Sequence, residues 1–221
     1  MRVRDRIGLT DRRQRQLTRA MQVSLLVLIG LGLERGSLGI VVNATIGLGV
    51  TQLPAVLERD YHIPMDSALT LWITAAVFLH ALGTAGLPGA ETNFYRSIPW
   101  WDHLTHTLSS SIVAAAGYAT ARAVELHSDA VSLPDRFMFV LILLFVLAFG
   151  VFWEVIEFAV AGAAALSGTP AVLVQYGLED TMLDLLFDLL GGIIVAVWGT
   201  AYLTDVVGAL TRRLDRMRAE S

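Results

Sequence analysis

Long runs of apolar residues, separated by short polar breaks, extend along most of this sequence. Five of the runs reach about twenty residues, the length that an α-helix needs to cross a hydrocarbon core about 30 Å thick. They cover residues 36–57, 67–87, 101–124, 136–163 and 178–206. The pattern predicts five membrane-spanning helices, and the breaks between them contain the Pro and Gly residues that are typical of turns.

A shorter apolar run at residues 21–33 follows a strongly basic segment, residues 1–20, that carries seven arginines. A secretory signal peptide has a similar order of basic and apolar regions, but no small-residue cleavage site follows this run. We therefore expect a retained helix, the sixth of the chain. The run reaches only about 20 Å at 1.5 Å per residue, so this helix must include flanking residues to cross the membrane.

Six helices place both termini on the same side of the membrane, and the arginines indicate which side. With the N-terminus in the cytoplasm, fourteen of the sixteen arginines lie on the cytoplasmic side, where basic residues are enriched in membrane proteins. The sequence therefore predicts an all-α polytopic transmembrane bundle of about six helices with both termini cytoplasmic. It comprises a basic segment at residues 1–20, a membrane domain at 21–206 and a basic tail at 207–221.

The composition agrees with a multi-pass protein of the cell membrane. Apolar residues make up 55% of the chain and charged residues only 16%, which excludes a water-soluble globule. The absence of cysteine from the sequence excludes disulfides, thiolate metal sites and cysteine nucleophiles. The net charge of -4 gives no reason to expect nucleic acid as a partner, and membrane lipid is the partner that we predict.

Ionisable residues interrupt three of the predicted helices, although each costs about 2.5 to 3.5 kcal/mol at the centre of a membrane. The fourth helix has Asp102 and His106 four residues apart on one face, with His103 about 100° around the helix. The fifth helix has Glu154 and Glu157 three residues apart. Such residues face protein or water rather than lipid, so they indicate a functional site.

The sixth helix carries three acids at four-residue spacing, in a stripe that continues to Gly191: Asp180, Asp184 and Asp188. Because successive helices alternate in direction, the polar residues of the last three helices all lie close to the outer surface. His80 and Asn43 fall in the same outer half, where helix packing also explains them. We therefore expect one polar site in the outer leaflet of the membrane.

The acids of this region outnumber the basic side chains that could neutralise them. The predicted site contains six carboxylates, whereas only two arginines, Arg35 and Arg96, are predicted on the same side of the membrane. Carboxylates packed closely at low dielectric must share protons or bind a cation. Oxygen-rich sites with one or two imidazoles suit Mg²⁺ or Mn²⁺, and additional histidines favour Zn²⁺ or non-haem iron. We expect a divalent metal ion with six candidate ligands: Asp102, His103, His106, Glu154, Asp184 and Asp188.

Two further acids are predicted to act in catalysis, with Glu157 or Asp180 as the general base. Asp102 and Asp180 also lie near helix N-termini, where capping and the helix dipole favour a carboxylate regardless of function. For each single Asp or His of the site, a structural hydrogen bond therefore remains the alternative to a role in metal binding or catalysis.

Three short motifs lie on successive predicted helices: Asp102-x-x-x-His106, Glu154-x-x-Glu157 and Asp180-Thr181-x-x-Asp184. Together they resemble the YjdF-like inner-membrane proteins, and the similarity in helix order covers most of the chain. More distantly the chain resembles VanZ-like proteins, which are associated with resistance to glycopeptide antibiotics, although Asp188 and Glu157 stand where that pattern has Asn and Gln. Neither family has a settled reaction, so the resemblance supports the site positions rather than an activity.

These observations leave three classes of function. The first is a metal-dependent membrane hydrolase or transferase, whose ion activates water or polarises a phosphate or ester of a lipid or lipid-linked substrate. The second is a proton- or cation-coupled transporter, but the inner halves of the helices are apolar, for example at residues 139–147. The third is a non-catalytic binding or assembly protein whose polar cluster fixes helix packing. The first is our leading interpretation.

Overall fold

The structure is a computed structural model that describes residues 10–86, 92–199 and 202–220. Within these residues all regular secondary structure is helical, as the sequence predicts. The helices are α1 (Asp11–Glu34), α2 (Leu38–Val50), α3 (Leu53–Tyr61), α4 (Ser67–Ala85), α5 (Phe94–Ser97), α6 (Trp101–His127), α7 (Asp135–Ser167), α8 (Leu178–Trp198) and α9 (Thr204–Glu220).

Five helical segments of the described residues are long and apolar enough to cross a membrane: α1, α2 together with α3, α4, α7 and α8. α6 has 27 residues and is about 40 Å long at 1.5 Å per residue, so it is long enough to cross a membrane. It is not one of the five because polar side chains, several of them in its first half, make it less apolar. The chain is therefore a helical membrane bundle. The crossing by α6 and the cytoplasmic location of both termini stay predictions.

α1 is longer than the apolar run in its sequence. It begins at Asp11, where the Thr10 hydroxyl accepts a hydrogen bond from the Arg13 amide, and it continues for 24 residues, about 36 Å. Arginine is a good helix former, so the basic residues interrupt the hydropathy pattern without interrupting the helix. The predicted boundary between residues 20 and 21 therefore falls inside a helix, and residues 1–9 are outside the described part of the chain.

The predicted helix at residues 36–57 is broken in the middle. α2 ends at Val50 and α3 begins at Leu53, so two turn residues separate them. Pro54 explains the break, because proline has no N–H to donate to the carbonyl of Val50 and its ring clashes with the preceding turn. α2 and α3 together still provide 24 residues for one crossing.

The last predicted helix, residues 178–206, is shorter than expected. α8 ends at Trp198, and the separate helix α9 covers most of the predicted tail at residues 207–221. α9 buries Val207 and leaves its last five residues exposed, so the basic tail is itself an ordered helix.

The third predicted helix was expected to end at Leu87, which lies outside the described residues.

The described residues divide into two compact units. The first contains those of Met1–Val56, Met65–Asp102 and Val160–Leu173, and the second contains those of Leu57–Pro64, His103–Ala159 and Val174–Ser221. In the first unit α1, α2 and α4 pack against one another around five buried apolar residues: Leu25, Leu28, Ile40, Ala44 and Ala81. The second unit contains α8, α7 as far as Ala159 and α6 from His103 onwards, and these segments carry all the predicted site residues except Asp102.

A polar network joins the helices of the first unit. Asn43 Nδ2 donates to the carbonyls of Gly39 (2.9 Å) and Val172 (2.8 Å), which leaves Asn43 Oδ1 to accept from His80 Nε2 at 3.2 Å. The Tyr95 hydroxyl then donates to His80 Nδ1 at 2.8 Å. His80 and Asn43 thus make the helix-packing contacts that the sequence offered as an explanation for them.

Candidate metal centre

α6 and α8 approach each other closely in the second unit because Gly191 has no side chain. A Cβ at this position would meet the Ser110 hydroxyl, the Thr107 carbonyl and, at 2.9 Å, the Ser111 amide nitrogen. The Thr107 hydroxyl also donates to the Phe187 carbonyl at 3.3 Å. This approach brings the polar first half of α6 against the acidic stripe of α8.

His106 of α6 lies between two acids of α8. His106 Nδ1 is 3.2 Å from Asp188 Oδ1, and His106 Nε2 is 3.8 Å from Asp184 Oδ1. The three side chains are largely buried, with exposed fractions of 13% for His106, 3% for Asp184 and 8% for Asp188. An ionised carboxylate can only accept, so Nδ1 is the donor in this contact when Asp188 is ionised. In the neutral imidazole the lone pair is then on Nε2, next to Asp184.

Asp102 completes a group of three residues. One ligand atom from each of Asp102, His106 and Asp184 lies within 4.8 Å of the other two. The division between the two units falls inside the first turn of α6, and Asp102 precedes His106 by one turn of that same helix. Two carboxylate oxygens and one imidazole nitrogen suit Mg²⁺, Mn²⁺ or Zn²⁺ as a donor set.

Gly150 of α7 makes room for the carboxylate of Asp188. A Cβ at this position would meet Asp188 Oδ2 and would come within 2.9 Å of Leu185 Cδ2. The Asp188 carboxylate is therefore positioned by α7 on one side and by His106 on the other. In metal sites an acid that holds the second nitrogen of a histidine fixes the tautomer and the orientation of the ring. Asp188 makes a contact of this kind with His106, and the ligand role that the sequence predicts for Asp188 stays a prediction.

Replacing Gly150 by Ala is expected to displace Asp188 and to weaken ion binding. Loss of an outer partner of a metal-binding histidine lowers metal affinity by about 10- to 100-fold, and the same range is expected for Mn²⁺ titrated into Gly150→Ala. Gly162→Ala is the matched control in the same helix, because nothing lies within 4 Å of a Cβ at position 162. Equal Mn²⁺ affinity in the two variants would contradict the positioning role of Asp188.

Glu154 of α7 is buried, with 5% of its surface exposed, but it is not part of the group of three. Its Oε2 accepts hydrogen bonds from the Thr181 hydroxyl at 2.7 Å and from Gln175 Nε2 at 3.4 Å. Its Oε1 is buried and has no hydrogen-bond partner among the described residues. The metal-binding role predicted for Glu154 stays a prediction.

The other predicted site residues make contacts of different kinds. The His103 ring stacks on Phe187, with the ring centroids 4.1 Å apart. Glu157 Oε1 accepts from the Trp153 indole N–H at 3.0 Å. Asp180 Oδ2 accepts from the backbone N–H of Tyr176 at 3.1 Å, a local hydrogen bond to the residue before the N-cap Gly177, which itself makes no side-chain capping bond. The ligand role of His103 and the catalytic roles of Glu157 and Asp180 stay predictions.

Gln175 contacts the predicted site residue Glu154, and the sequence does not predict it as a site residue. It lies in the connection before α8 and bonds both Glu154 and the Thr181 hydroxyl, the latter at 3.0 Å. A residue in an irregular connection has no periodicity that would place it on a helix face. Thr181 belongs to the motif Asp180-Thr181-x-x-Asp184 but is not among the predicted site residues, although it precedes Asp184 by three residues and therefore shares its face of α8.

The fold, together with the cluster formed by Asp102, His106, Asp184 and Asp188, defines the chain as a helical membrane protein with acids and a histidine in its largely buried interior. Residues 17–205 match the family described as "Predicted membrane protein (DUF2238)", and the chain belongs to that family. The chain is also 32% identical over 138 residues to a Thermotoga maritima protein described as "Uncharacterized protein". This match covers 62% of the chain and 65% of the relative, so the chain spans less than two thirds of the relative's length. No solved structure matches the chain.

The family assignment bears on the two resemblances that the motifs suggested. Membership of DUF2238 is consistent with the YjdF-like resemblance. The VanZ-like resemblance receives no support from these comparisons. The function therefore has to be inferred from the geometry of the cluster itself.

Proposed function

We propose that this chain is a multi-pass protein of the cell membrane that binds a divalent metal ion through Asp102, His106 and Asp184. One observation carries the proposal. The Nδ1 atom of His106 is engaged by Asp188, while Nε2 lies beside Asp184, within the group of three ligand atoms. This is the arrangement of a metal-binding histidine with an outer carboxylate.

The charges of the cluster favour a cation. Asp102, Asp184 and Asp188 contribute three carboxylates around one imidazole, and Asp184 and Asp188 are buried. A protonated His106 would offset one negative charge at most. Burying further unbalanced charge costs several kcal/mol in a medium of low dielectric, at about the level of the ion desolvation penalty in proteins. A divalent ion held at the three ligand atoms, with His106 neutral as a metal ligand must be, would offset two of the three negative charges.

The chemistry that such an ion supplies is activation of water or polarisation of a phosphate or ester group. In a membrane protein the substrates nearest to the cluster are lipids and lipid-linked molecules, and the reaction classes are hydrolysis and group transfer. Asp102, His106 and Asp184 would hold the ion, and Asp188 would orient His106. Glu157 and Asp180 are the proposed general bases, and the hydrogen bond that each accepts from Trp153 or from the Tyr176 amide occupies one of its two carboxylate oxygens.

Ion binding by the wild-type protein tests the proposal directly. Protein purified in detergent and stripped with a chelator is titrated with Mn²⁺, and the bound ion is counted by electron paramagnetic resonance. We expect about one ion per chain and a higher unfolding temperature when the ion is present, because a ligand that binds only the folded state stabilises it. Competition with Mg²⁺ and Zn²⁺ ranks the three ions. A chain that binds no ion and gains no stability would instead support a packing role for the cluster.

A further inference from the structure

The two carboxylate oxygens of Glu154 differ in their hydrogen bonding. Oε2 is satisfied by Thr181 and Gln175, whereas Oε1 is buried and lacks a hydrogen-bond partner among the described residues. Leaving a buried polar atom unsatisfied is unfavourable, and more so when the group is charged. Such an atom in a folded protein is commonly explained by a bound water, an ion or a catalytic role.

The register of α7 and α8 places Glu154 at the level of the candidate ion. The two helices are antiparallel, since a Cβ at Gly192 would be 3.4 Å from Val146 and a Cβ at Gly150 would meet Asp188. Moving four residues along each helix from Gly150 and Asp188 leads to Glu154 and Asp184. The contact between Glu154 and Thr181, one turn before Asp184, agrees with this register.

We propose that Glu154 Oε1 is a fourth ligand, which completes the coordination of the ion held by Asp102, His106 and Asp184. The inference rests on the proposed function and extends it to the third helix of the site. Oε2 can keep its short contact with Thr181 while Oε1 binds the ion. The weaker contact with Gln175, at 3.4 Å, is the one that a rotation of the carboxylate would sacrifice.

A fourth ligand from α7 fits the chemistry of the site. Three protein ligands leave an ion such as Mg²⁺ or Mn²⁺ with several positions to fill, and a further carboxylate oxygen is a favoured donor for both. The ion would in turn give the buried Oε1 the electrostatic partner that it lacks. The same contact would link α7 to α6 and α8, so ion binding would join the three helices that carry the predicted site residues.

Glu154→Gln tests this inference with two measurements. In the Mn²⁺ titration we expect at least about a tenfold loss of affinity, since loss of outer partners alone costs 10- to 100-fold. Without the ion, the unfolding temperature is expected to stay equal or to rise, because a neutral amide replaces a buried acid that lacks a partner for one oxygen. Glu179→Gln is the matched control, an exposed acid in the first turn of α8.

The outcomes separate the fourth ligand from the site itself. If Asp184→Asn loses Mn²⁺ while Glu154→Gln binds it as tightly as wild type, Glu154 is not a ligand and the proposed function stands. If the ion-free unfolding temperature of Glu154→Gln falls clearly below those of wild type and Glu179→Gln, Glu154 is a packing residue and the inference is overturned. If wild type binds no Mn²⁺, the proposed function and the inference are both wrong.

Discussion

Replacing Asp184 by Asn is expected to lower the affinity for Mn²⁺ by at least about 10- to 100-fold, because a ligand should matter at least as much as the outer partners whose loss has that effect. Asp184 is almost fully buried and lies 3.8 Å from His106 Nε2. Asparagine has the same shape, so the change removes one negative charge from the site with little loss of packing. The measurement is the Mn²⁺ titration of the ion-stripped protein in detergent.

Two controls make this prediction specific to the cluster. Glu179→Gln removes one acid from the first turn of the same helix at an exposed position, and its Mn²⁺ affinity is expected to match wild type. His106→Asn should behave like Asp184→Asn. Its control is His62→Asn, at an exposed residue with a positive φ of 58° that asparagine adopts readily. Equal losses in the cluster and control variants would show that surface charge, not the cluster, governs Mn²⁺ binding.

Replacing Gly191 by Ala is expected to have the largest effect on stability. The added Cβ would meet the Ser110 hydroxyl together with the backbone of Thr107 and Ser111. Backbone atoms of a helix cannot move aside singly, so α6 and α8 would have to separate. Overpacking of this kind costs about 1 to 3 kcal/mol, whereas alanine normally favours a helix over glycine by about 1 kcal/mol. We expect a net loss in the free energy of unfolding, measured by denaturant titration in detergent.

Gly162→Ala provides the opposite expectation. It is a glycine within α7 with no atom within 4 Å of an added Cβ, so alanine should raise the free energy of unfolding by about 0.5 to 1 kcal/mol. Gly191→Ala should also weaken Mn²⁺ binding, because it separates the helix that carries His106 from the helix that carries Asp184. If Gly191→Ala is as stable as Gly162→Ala, the two helices are not packed as closely as the structure indicates.

Much of the fold could be predicted because a chain in lipid has few solutions. Apolar runs of about twenty residues must satisfy their backbone polar groups internally, which leaves the helix as the structure for each. The boundaries were less accurate where a local effect overrode hydropathy. Pro54 divides one predicted helix, and the arginines near the start of α1 continue a helix that the apolar pattern begins only at residue 21.

Part of the candidate site could be predicted because the helical repeat determines which residues of one helix share a face. Helical spacing places Asp102 with His106, and Asp184 with Asp188, on shared faces, and the structure brings three of these four residues into one group. Spacing does not determine which acid of a helix reaches a neighbouring helix. The contact of Asp180 with the Tyr176 amide depends on local backbone geometry and on a rotamer, which no periodicity in the sequence records.

The continuity of α1 has a mechanical consequence for the first unit. Its early turns bury Gln14 and Thr18 against the protein and expose Arg12, Arg15 and Arg19 on the other side. Translation of this helix further into the bilayer would move guanidinium groups into hydrocarbon. Rotation about its axis would expose the Gln14 amide and the Thr18 hydroxyl. We therefore expect α1 to restrict both the depth and the rotation of the first unit in the bilayer.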